Sequence, residues 1–235
     1  MKNVLSISLL VLLIIFAACE NDRDTNPVAS KEFNFNFQTD AEGWIGDFAD
    51  YPNEPNVENF YELQFSHSKL PSPLNSSDGA LRQSGKNHSD DLFMFIKRKI
   101  AGLVPNTNYN IDVEIEIATD AASGAFGVGG APGEAVSIKA GASTKEPLKV
   151  LDNSNFYRLN IDKGNQSNGG ADMKVIGDFA NGTTLFIYKL KVLRTTNPIS
   201  VKSNSNGEVW VVVGTDSGFE ATTTIYYNSI KVNTR

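Results

Sequence analysis

Apolar and polar residues alternate strictly between residues 110 and 118, where the sequence reads NIDVEIEIA. Side chains of a β-strand point alternately to two faces, so this segment predicts a strand with one aliphatic and one acidic face. Its apolar positions are all isoleucine or valine, and these β-branched residues suit a pleated, half-buried surface.

A second apolar segment, LFMFI, precedes the alternating one and ends at three basic residues, Lys97, Arg98 and Lys99. It predicts a strand over residues 91–100. The intervening residues 102–109, GLVPNTNY, favour a turn, because proline lacks the N–H that a central strand needs. We therefore expect the two strands to pair, with residues 97–99 facing the acidic residues 112–116.

Similar short apolar segments recur along the chain between polar or glycine-rich loops. Strands are predicted over residues 33–37, 60–67, 80–84, 135–140, 148–151, 156–162, 184–193, 199–201, 209–213 and 222–232. Loops are predicted over 39–51, 121–134, 163–178 and 214–220, and the continuous apolar run 209–213 predicts a central strand covered on both faces. Ten or more strands without crossover helices predict an all-β, antiparallel two-sheet β-sandwich, a jelly roll.

The first 19 residues predict where the protein is located. The apolar run from Val4 to Ala18 follows Lys2 and is shorter than the roughly 20 residues of a membrane span, so it fits a secretory signal peptide. It ends FAAC, which resembles the cleavage motif of bacterial lipoproteins. That resemblance implies acylation of Cys19 and a lipid anchor in the outer membrane of a Gram-negative bacterium. An ordinary signal peptide with a chance cysteine is the alternative.

The predicted organisation is a signal peptide over 1–18, a lipidated Cys19 with a flexible acidic tether to residue 31, and one domain over 32–235. The acidic residues after Cys19 resemble the surface-export signal of some lipoproteins. The formal net charge is −6 and the sequence pI is about 5.0, which argues against a nucleic-acid partner. A single cysteine permits no internal disulfide, and the oligomeric state is left open.

Three segments resemble the galactose-binding-like jelly rolls, a superfamily that includes many carbohydrate-binding modules. They are FNF with EGW over 35–44, GLVPNTNY over 102–109 and IYYNSIKV over 225–232. The resemblance implies a glycan-binding sandwich that holds a structural calcium ion, although Asn228 stands where that family often carries aspartate. The whole chain also resembles an uncharacterised family of exported bacterial proteins sharing NHSDDLFMF, NIDKGNQSNGGAD and GTDSGFE, which implies no activity.

Candidate ligand-binding residues fall on three segments of the sequence. The candidates are Trp44 and Tyr51 for stacking on a sugar ring, His88, Asp90 and Asp91 before a predicted strand, and Asp162, Lys163, Asn165, Gln166 and Asp172 for sugar hydroxyls. The alternatives are a core tryptophan, loop side chains that bond the backbone, and a solvated loop. Asp216, Glu220 and Asn228 are candidate calcium ligands, because calcium prefers oxygen donors.

These features favour a lipid-anchored cell-envelope sandwich that binds a glycan without turnover. One alternative is a surface assembly or structural lipoprotein with no small ligand. A second is a hydrolase that uses His88 with Asp90 or Asp91. Convergence of His67, His88 and Asp91 in one deep pocket would favour the hydrolase.

Overall fold

The computed structural model describes residues 30–235, so the predicted signal peptide, Cys19 and nearly all of the tether lie outside the described residues. The elements in chain order are β1 (Lys31–Phe35), β2 (Ile45–Ala49), β3 (Tyr51–Pro52), α1 (Val57–Phe60), β4 (Gln64–Lys69), β5 (Gly79–Lys86), β6 (Leu92–Ile100), β7 (Asn108–Thr119), β8 (Val136–Ser143), β9 (Lys149–Leu151), β10 (Phe156–Leu159), β11 (Met173–Asp178), β12 (Lys189–Arg194), β13 (Ile199–Lys202), β14 (Val209–Ser217) and β15 (Thr222–Thr234). None of these described elements is a helix long and apolar enough to cross a bilayer.

Two antiparallel sheets form the predicted sandwich. One has the order β12-β7-β15-β5-β4, with β1 added to β15 and β13 added to β7, and the other has the order β11-β8-β14-β6-β2. The chain changes sheet between β6, β7 and β8 and again between β13, β14 and β15. This alternation of consecutive strands between the sheets is the jelly-roll arrangement, so the predicted fold class is confirmed.

The alternating segment 110–118 lies in β7 and faces the core as predicted. Ile111, Ile115 and Ile117 are fully buried between the sheets, whereas Glu114 points outward and pairs with Arg194 at 2.6 Å. Burying one aliphatic face of β7 against the opposite sheet supplies part of the hydrophobic stabilisation of the sandwich.

The prediction that β6 and β7 pair with each other is wrong. β6 pairs with β14 and β2 in the five-stranded sheet, and β7 pairs with β12, β13 and β15 in the other sheet. Lys97 accordingly pairs with Glu146 and Lys99 with Glu208, rather than with β7. The apolar run of β6 requires cover on both faces, which a position in the five-stranded sheet supplies.

Several predicted boundaries also change. The predicted loop 39–51 contains β2 and the first residue of β3, and the predicted loop 163–178 contains β11. β2 and β11 are edge strands that carry glycine and aspartate, and pairing with a neighbouring strand overrides their weak intrinsic preference. β14 is the central strand of its sheet, as predicted, but it continues to Ser217 and so places Asp216 on a strand.

A third small sheet, β3-β10-β9, and the chain around it cover the outer face of the five-stranded sheet. Apolar residues under this cover form a second cluster comprising Ala49, Phe93, Phe95, Ile161, Met173 and Val212. The outer face of β6, β8 and β14 is therefore an interior surface, and charged residues on it are buried.

The two ends of the long strand β15 mark the two ends of the sandwich. Lys31 pairs with Thr234 at one end, and Thr222 pairs with Lys86 at the other. Twelve residue steps along a strand span about 40 Å. The loops 87–91, 120–135, 179–188 and 218–221 lie at the Thr222 end, which we call the far pole because the chain enters the domain at the opposite end.

Candidate functional site

Six charged side chains meet on the covered outer face of the five-stranded sheet. This ion-pair network comprises Asp50, Asp91, Lys139, Arg158, Lys163 and Asp216. Three carboxylates and three cationic groups make it formally neutral. Its members come from β8, β10, β14 and the segments that adjoin β2, β6 and β10.

Asp216 is at the centre of the network. Its Oδ2 accepts hydrogen bonds from Lys139 Nζ at 2.7 Å, Lys163 Nζ at 2.8 Å and the backbone N–H of Gln166 at 3.0 Å. Strand register brings the first pair together, because Lys139 is opposite Gly214 and Asp216 lies two residues further along the same face. Burial lowers the pKa of Lys139, and the adjacent Asp216 carboxylate opposes that effect.

Lys163 joins the centre of the network to Asp50. Its Nζ lies 2.8 Å from Asp50 Oδ2, and Arg158 Nη1 donates to Asp50 Oδ1 at 2.9 Å. Burial alone would lower the pKa of Lys163, but the carboxylates of Asp216 and Asp50 outweigh it, so its pKa is raised. Lys163 is therefore held as a cation between two buried carboxylates.

Asp91 is the carboxylate of the network that reaches the surface. Its side chain is 26% exposed, and its Oδ2 accepts a hydrogen bond from Arg158 Nη1 at 3.3 Å. Burial, followed by the charge of Asp50, raises the pKa of Asp91 to about 6. Its Oδ1 is buried and has no hydrogen-bond partner among the described residues.

Carboxylate oxygens of Asp50, Asp91 and Asp216 lie within 4.8 Å of one another, a spacing that could hold a cation. The ammonium groups of Lys139 and Lys163 already occupy positions beside these oxygens. A divalent cation would therefore have to displace a lysine and add charge to a balanced network.

A shallow polar depression of about 350 Å³ opens above the network. It is lined by Asp50, Asp91, Arg158, Leu159, Ile161, Asp162, Lys163, Gly164 and Asn165. The guanidinium and amide groups can donate hydrogen bonds, and the carboxylates of Asp91 and Asp162 can accept them. The depression thus offers both donors and acceptors on a floor fixed by ion pairs.

The structure unites two segments that the sequence separates by some 70 residues. Gln166 Nε2 donates to the backbone carbonyl of Asp90 at 2.8 Å, so the loop 163–170 lies against the segment before β6. Asp91, Lys163 and Asn165 consequently line one depression. These predicted candidates form a single site.

Two further candidates, Asp162 and Asp172, hold their own loop together. Asp162 accepts hydrogen bonds from the backbone N–H groups of Ala171 and Gly164, which lower its pKa, and Asp172 Oδ2 accepts one from the Asp162 N–H. This is the alternative of side chains bonding the backbone. Asp162 still lines the depression, whereas Asp172 lines a neighbouring groove.

The aromatic candidates lie in the core. Trp44 is 2% exposed and meets Phe35 edge-on, with ring centroids 5.5 Å apart. Tyr51 is fully buried, and its hydroxyl accepts a hydrogen bond from Lys149 Nζ at 2.7 Å. Neither ring presents a face to a sugar in this structure, which corrects the prediction that they stack on a ligand.

The histidines do not converge with Asp91. His88 is exposed and stacks on Phe60 with ring centroids 4.1 Å apart, while His67 Nε2 lies 2.7 Å from the carbonyl oxygen of Phe37. Asp91 is paired with Arg158 instead. The deep pocket that would favour the hydrolase is therefore not formed by these three residues.

The three predicted calcium ligands do not share a site. Asp216 is bound by two lysines, Glu220 is exposed on the loop after β14, and Asn228 Nδ2 donates to Glu116 at 2.5 Å. Asp216 and Asn228 lie on opposite outer faces of the sandwich, whose sheets alone are about 10 Å apart. Calcium binding by this chain remains a prediction.

Asp50, Lys139 and Arg158 were not predicted from the sequence. Lys139 carried a signal, because it is a single charge within the apolar strand segment VSIKAGAS. A buried charge of that kind requires a partner, and Asp216 supplies it. Asp50 and Arg158 lie in segments that look solvated in the sequence, so their roles depend on the tertiary fold.

No protein-family model matches the chain, and no curated protein matches it either. Solved structures with a similar backbone include the K1 adhesin domain of Lys-gingipain from Porphyromonas gingivalis W83 (10% identity, 86% of this chain, 97% of that chain, TM-score 0.38). Another is the CBM22-1 xylan-binding domain of Paenibacillus barcinonensis Xyn10C (6% identity, 88% and 96% coverage, TM-score 0.41). A third is TmCBM27, a carbohydrate-binding module that recognises mannan (12% identity, 88% and 97% coverage, TM-score 0.37). With TM-scores below 0.5, these likenesses carry no functional argument for this chain.

Proposed function

We propose that this protein is a non-catalytic binding module of the cell envelope that holds a glycan in the polar depression. The observation that carries the proposal is the fixed mixture of donors and acceptors above the ion-pair network. Sugar hydroxyls both donate and accept hydrogen bonds, so a ligand rich in them matches Arg158, Asn165 and Asp91.

Rigidity of the floor supports binding. Arg158 is held by Asp50, Asp91 and Asp152, with its Nε 3.4 Å from Asp152 Oδ2. A side chain that is already ordered loses little rotamer freedom when a ligand arrives, which favours affinity. The residues lining the depression include three carboxylates and two cationic groups, which disfavours a strongly anionic glycan.

The same contacts weigh against turnover. Glycoside hydrolysis by a carboxylate pair needs two accessible carboxyl groups on either side of the scissile bond. Asp50 is only 3% exposed and is neutralised by Arg158 and Lys163, and Asp216 is fully buried. Asp91, with its raised pKa, therefore lacks an accessible partner carboxylate within the network, and Asp162, which also lines the depression, has both carboxylate oxygens bonded to backbone N–H groups.

The lipid anchor on Cys19 is part of the proposal. Residues 19–30 would span at most about 40 Å when extended, and they would join the domain at Lys31. Asp91 and Asp216 lie at the ends of β6 and β14 next to the far pole. In an anchored protein, the site would lie at the end of the domain remote from the point where the tether joins it.

A glycan array is the direct test. The purified protein is screened with calcium and with chelator, alongside Asn165→Ala, which removes a donor from the depression without touching an ion pair. We expect selective binding by the wild type and a loss with Asn165→Ala. Binding that disappears with chelator would also support the predicted calcium ion.

The outcomes separate the alternatives. No glycan bound in either condition would reject the proposed function and favour the assembly lipoprotein. Release of free sugar from a bound glycan would instead support the hydrolase, and loss of that release in Asp91→Asn would assign it to the depression.

A further inference from the structure

A second concavity, the far-pole crevice, lies at the end of the sandwich and is separate from the polar depression. It has a volume of about 250 Å³, and its walls include Phe126, Phe179, Phe186 and Phe219. None of these residues takes part in the ion-pair network. The crevice lies between the loops 120–135 and 179–188 and the start of β15.

The rim of the crevice exposes large apolar side chains. Phe126 is entirely exposed and Phe186 is 70% exposed, while neighbouring Val128 and Leu185 are 68% and 65% exposed. Clustered apolar exposure of this kind on a soluble domain marks an interaction surface. These side chains contribute little to the core, which makes this end of the sandwich a candidate contact surface.

Hydrogen bonds fix the loops that carry these side chains. Glu220 N donates to the carbonyl of Val128 at 2.9 Å, and Asn181 Nδ2 donates to the carbonyls of Leu185 and Ile187. Gly129 has φ +72°, and a Cβ there would lie 2.2 Å from the Gly218 carbonyl oxygen. The crevice is therefore held open by its own backbone, which lowers the cost of ordering on binding.

Two polar residues, Thr223 and Asp120, line the crevice beside the phenylalanines. Thr223 is 4% exposed, and its Oγ1 has no hydrogen-bond partner among the described residues. The carboxyl group of Asp120 lines the same crevice. An amine or guanidinium that reaches past the phenylalanines could pair with the Asp120 carboxylate.

The charge of the crevice indicates which kind of ligand it would bind. Among the described residues that line the crevice, Asp120 is the one charged residue. An acidic residue among aromatic walls complements a ligand that is both cationic and apolar. We propose that the far-pole crevice binds a protein segment in which lysine or arginine neighbours an aromatic or large aliphatic side chain.

Three fluorescein-labelled tetrapeptide amides test this proposal by fluorescence anisotropy with the purified protein. They are acetyl-Lys-Phe-Leu-Lys, acetyl-Glu-Phe-Leu-Glu and acetyl-Lys-Ser-Ser-Lys. We expect binding of the first and at least about tenfold weaker binding of the other two, since each lacks one of the two required features.

Variants then locate the binding. Phe126→Ser combined with Phe186→Ser should weaken the first peptide at least about tenfold, and Asp120→Asn should weaken it several-fold. Val104→Ser is the matched control, because Val104 is 54% exposed at the opposite end of the sandwich. Exposed positions tolerate such changes, so melting temperatures should be unaltered.

Equal binding of all three peptides, no binding of the first, or full binding by the double phenylalanine variant would overturn the proposal. Loss of glycan-array binding in the double phenylalanine variant would also overturn it, because it would make the crevice a sugar site. The polar depression is tested by Asn165→Ala, so failure of one proposal leaves the other standing.

Discussion

Lys139 and Asp216 form an ion pair in which neither side chain is exposed, with Nζ and Oδ2 2.7 Å apart. They lie on adjacent strands, and the same Lys139 Nζ donates to the carbonyls of Lys163 and Asn168. The pair thus connects the five-stranded sheet to the loop that borders the polar depression. Stability and site geometry depend on the same contact.

Removing one partner of this pair should be costly. We expect Lys139→Met to lower the free energy of unfolding by about 3–5 kcal/mol, because it leaves the Asp216 carboxylate buried with one fewer cation. Urea denaturation measures the change. Lys139→Met with Asp216→Leu should cost less than the sum of the single changes, and strict additivity would contradict a direct pair.

Asp91 should make stability depend on pH. Its pKa is raised from about 3.8 to about 6 in the folded protein, so the folded state holds the proton more tightly than the unfolded chain. The stabilisation is complete below the unfolded pKa and is lost as pH rises through about 6. Relative to Asp91→Asn, the wild type should lose on the order of 2 kcal/mol between pH 4 and pH 7.

Asp152 provides a control of opposite sign for that titration. Hydrogen bonds from the backbone N–H groups of Phe156 and Ser154 lower its pKa, so its contribution is present above the unfolded pKa and is lost as pH falls further. Asp152→Asn should therefore be less stable than the wild type at neutral pH, and the two proteins should converge in stability as the pH falls into acid. The same pH profile for both variants would contradict the assignment of Asp91.

A charge swap tests the separation of β6 from β7. Lys99 lies 3.1 Å from Glu208, so Lys99→Glu should destabilise the protein by up to about 1 kcal/mol, and adding Glu208→Lys should restore the loss. Glu114 pairs with Arg194 in the other sheet, so Glu114→Lys should not rescue Lys99→Glu. Rescue by Glu114→Lys would support direct pairing of β6 with β7 and contradict the strand order.

Trp44 should behave as a core residue. Its indole is 2% exposed against Phe35 and Phe37, so Trp44→Ala should cost about 3–5 kcal/mol in thermal or urea unfolding. Phe60→Ala, at a ring that is 60% exposed, should cost much less. A stable Trp44→Ala variant that loses glycan binding would restore the predicted stacking role.

The sequence predicted the fold class because periodicity is local. Alternation in β7 and the apolar run of β14 are readable within a dozen residues, and both strands lie where the pattern requires. Strand partners are not local: β6 and β7 are adjacent in sequence, but the loop between them crosses from one sheet to the other. No residue of GLVPNTNY distinguishes such a crossing from a hairpin turn.

The candidate site was predictable only in part. Asp91, Lys163 and Asn165 were recognisable as polar loop residues, and the structure brings them to one depression. Asp50 and Arg158 were not, because their importance comes from contacts across about a hundred residues of sequence. Trp44, in contrast, was predicted as a binding residue but lies in the core. An aromatic residue in a loop can be either a binding platform or a core residue, and the sequence does not distinguish the two.

The most direct measurement of the central claim compares two arginines on a glycan array. Arg158→Ala removes a charged donor from the depression, whereas Arg194→Ala removes an exposed arginine from the opposite sheet. We predict that wild type and Arg194→Ala bind the same glycan and that Arg158→Ala, shown to be folded by its melting curve, binds about tenfold more weakly or worse. Undiminished glycan binding by folded Arg158→Ala would mean that the polar depression is not the glycan site.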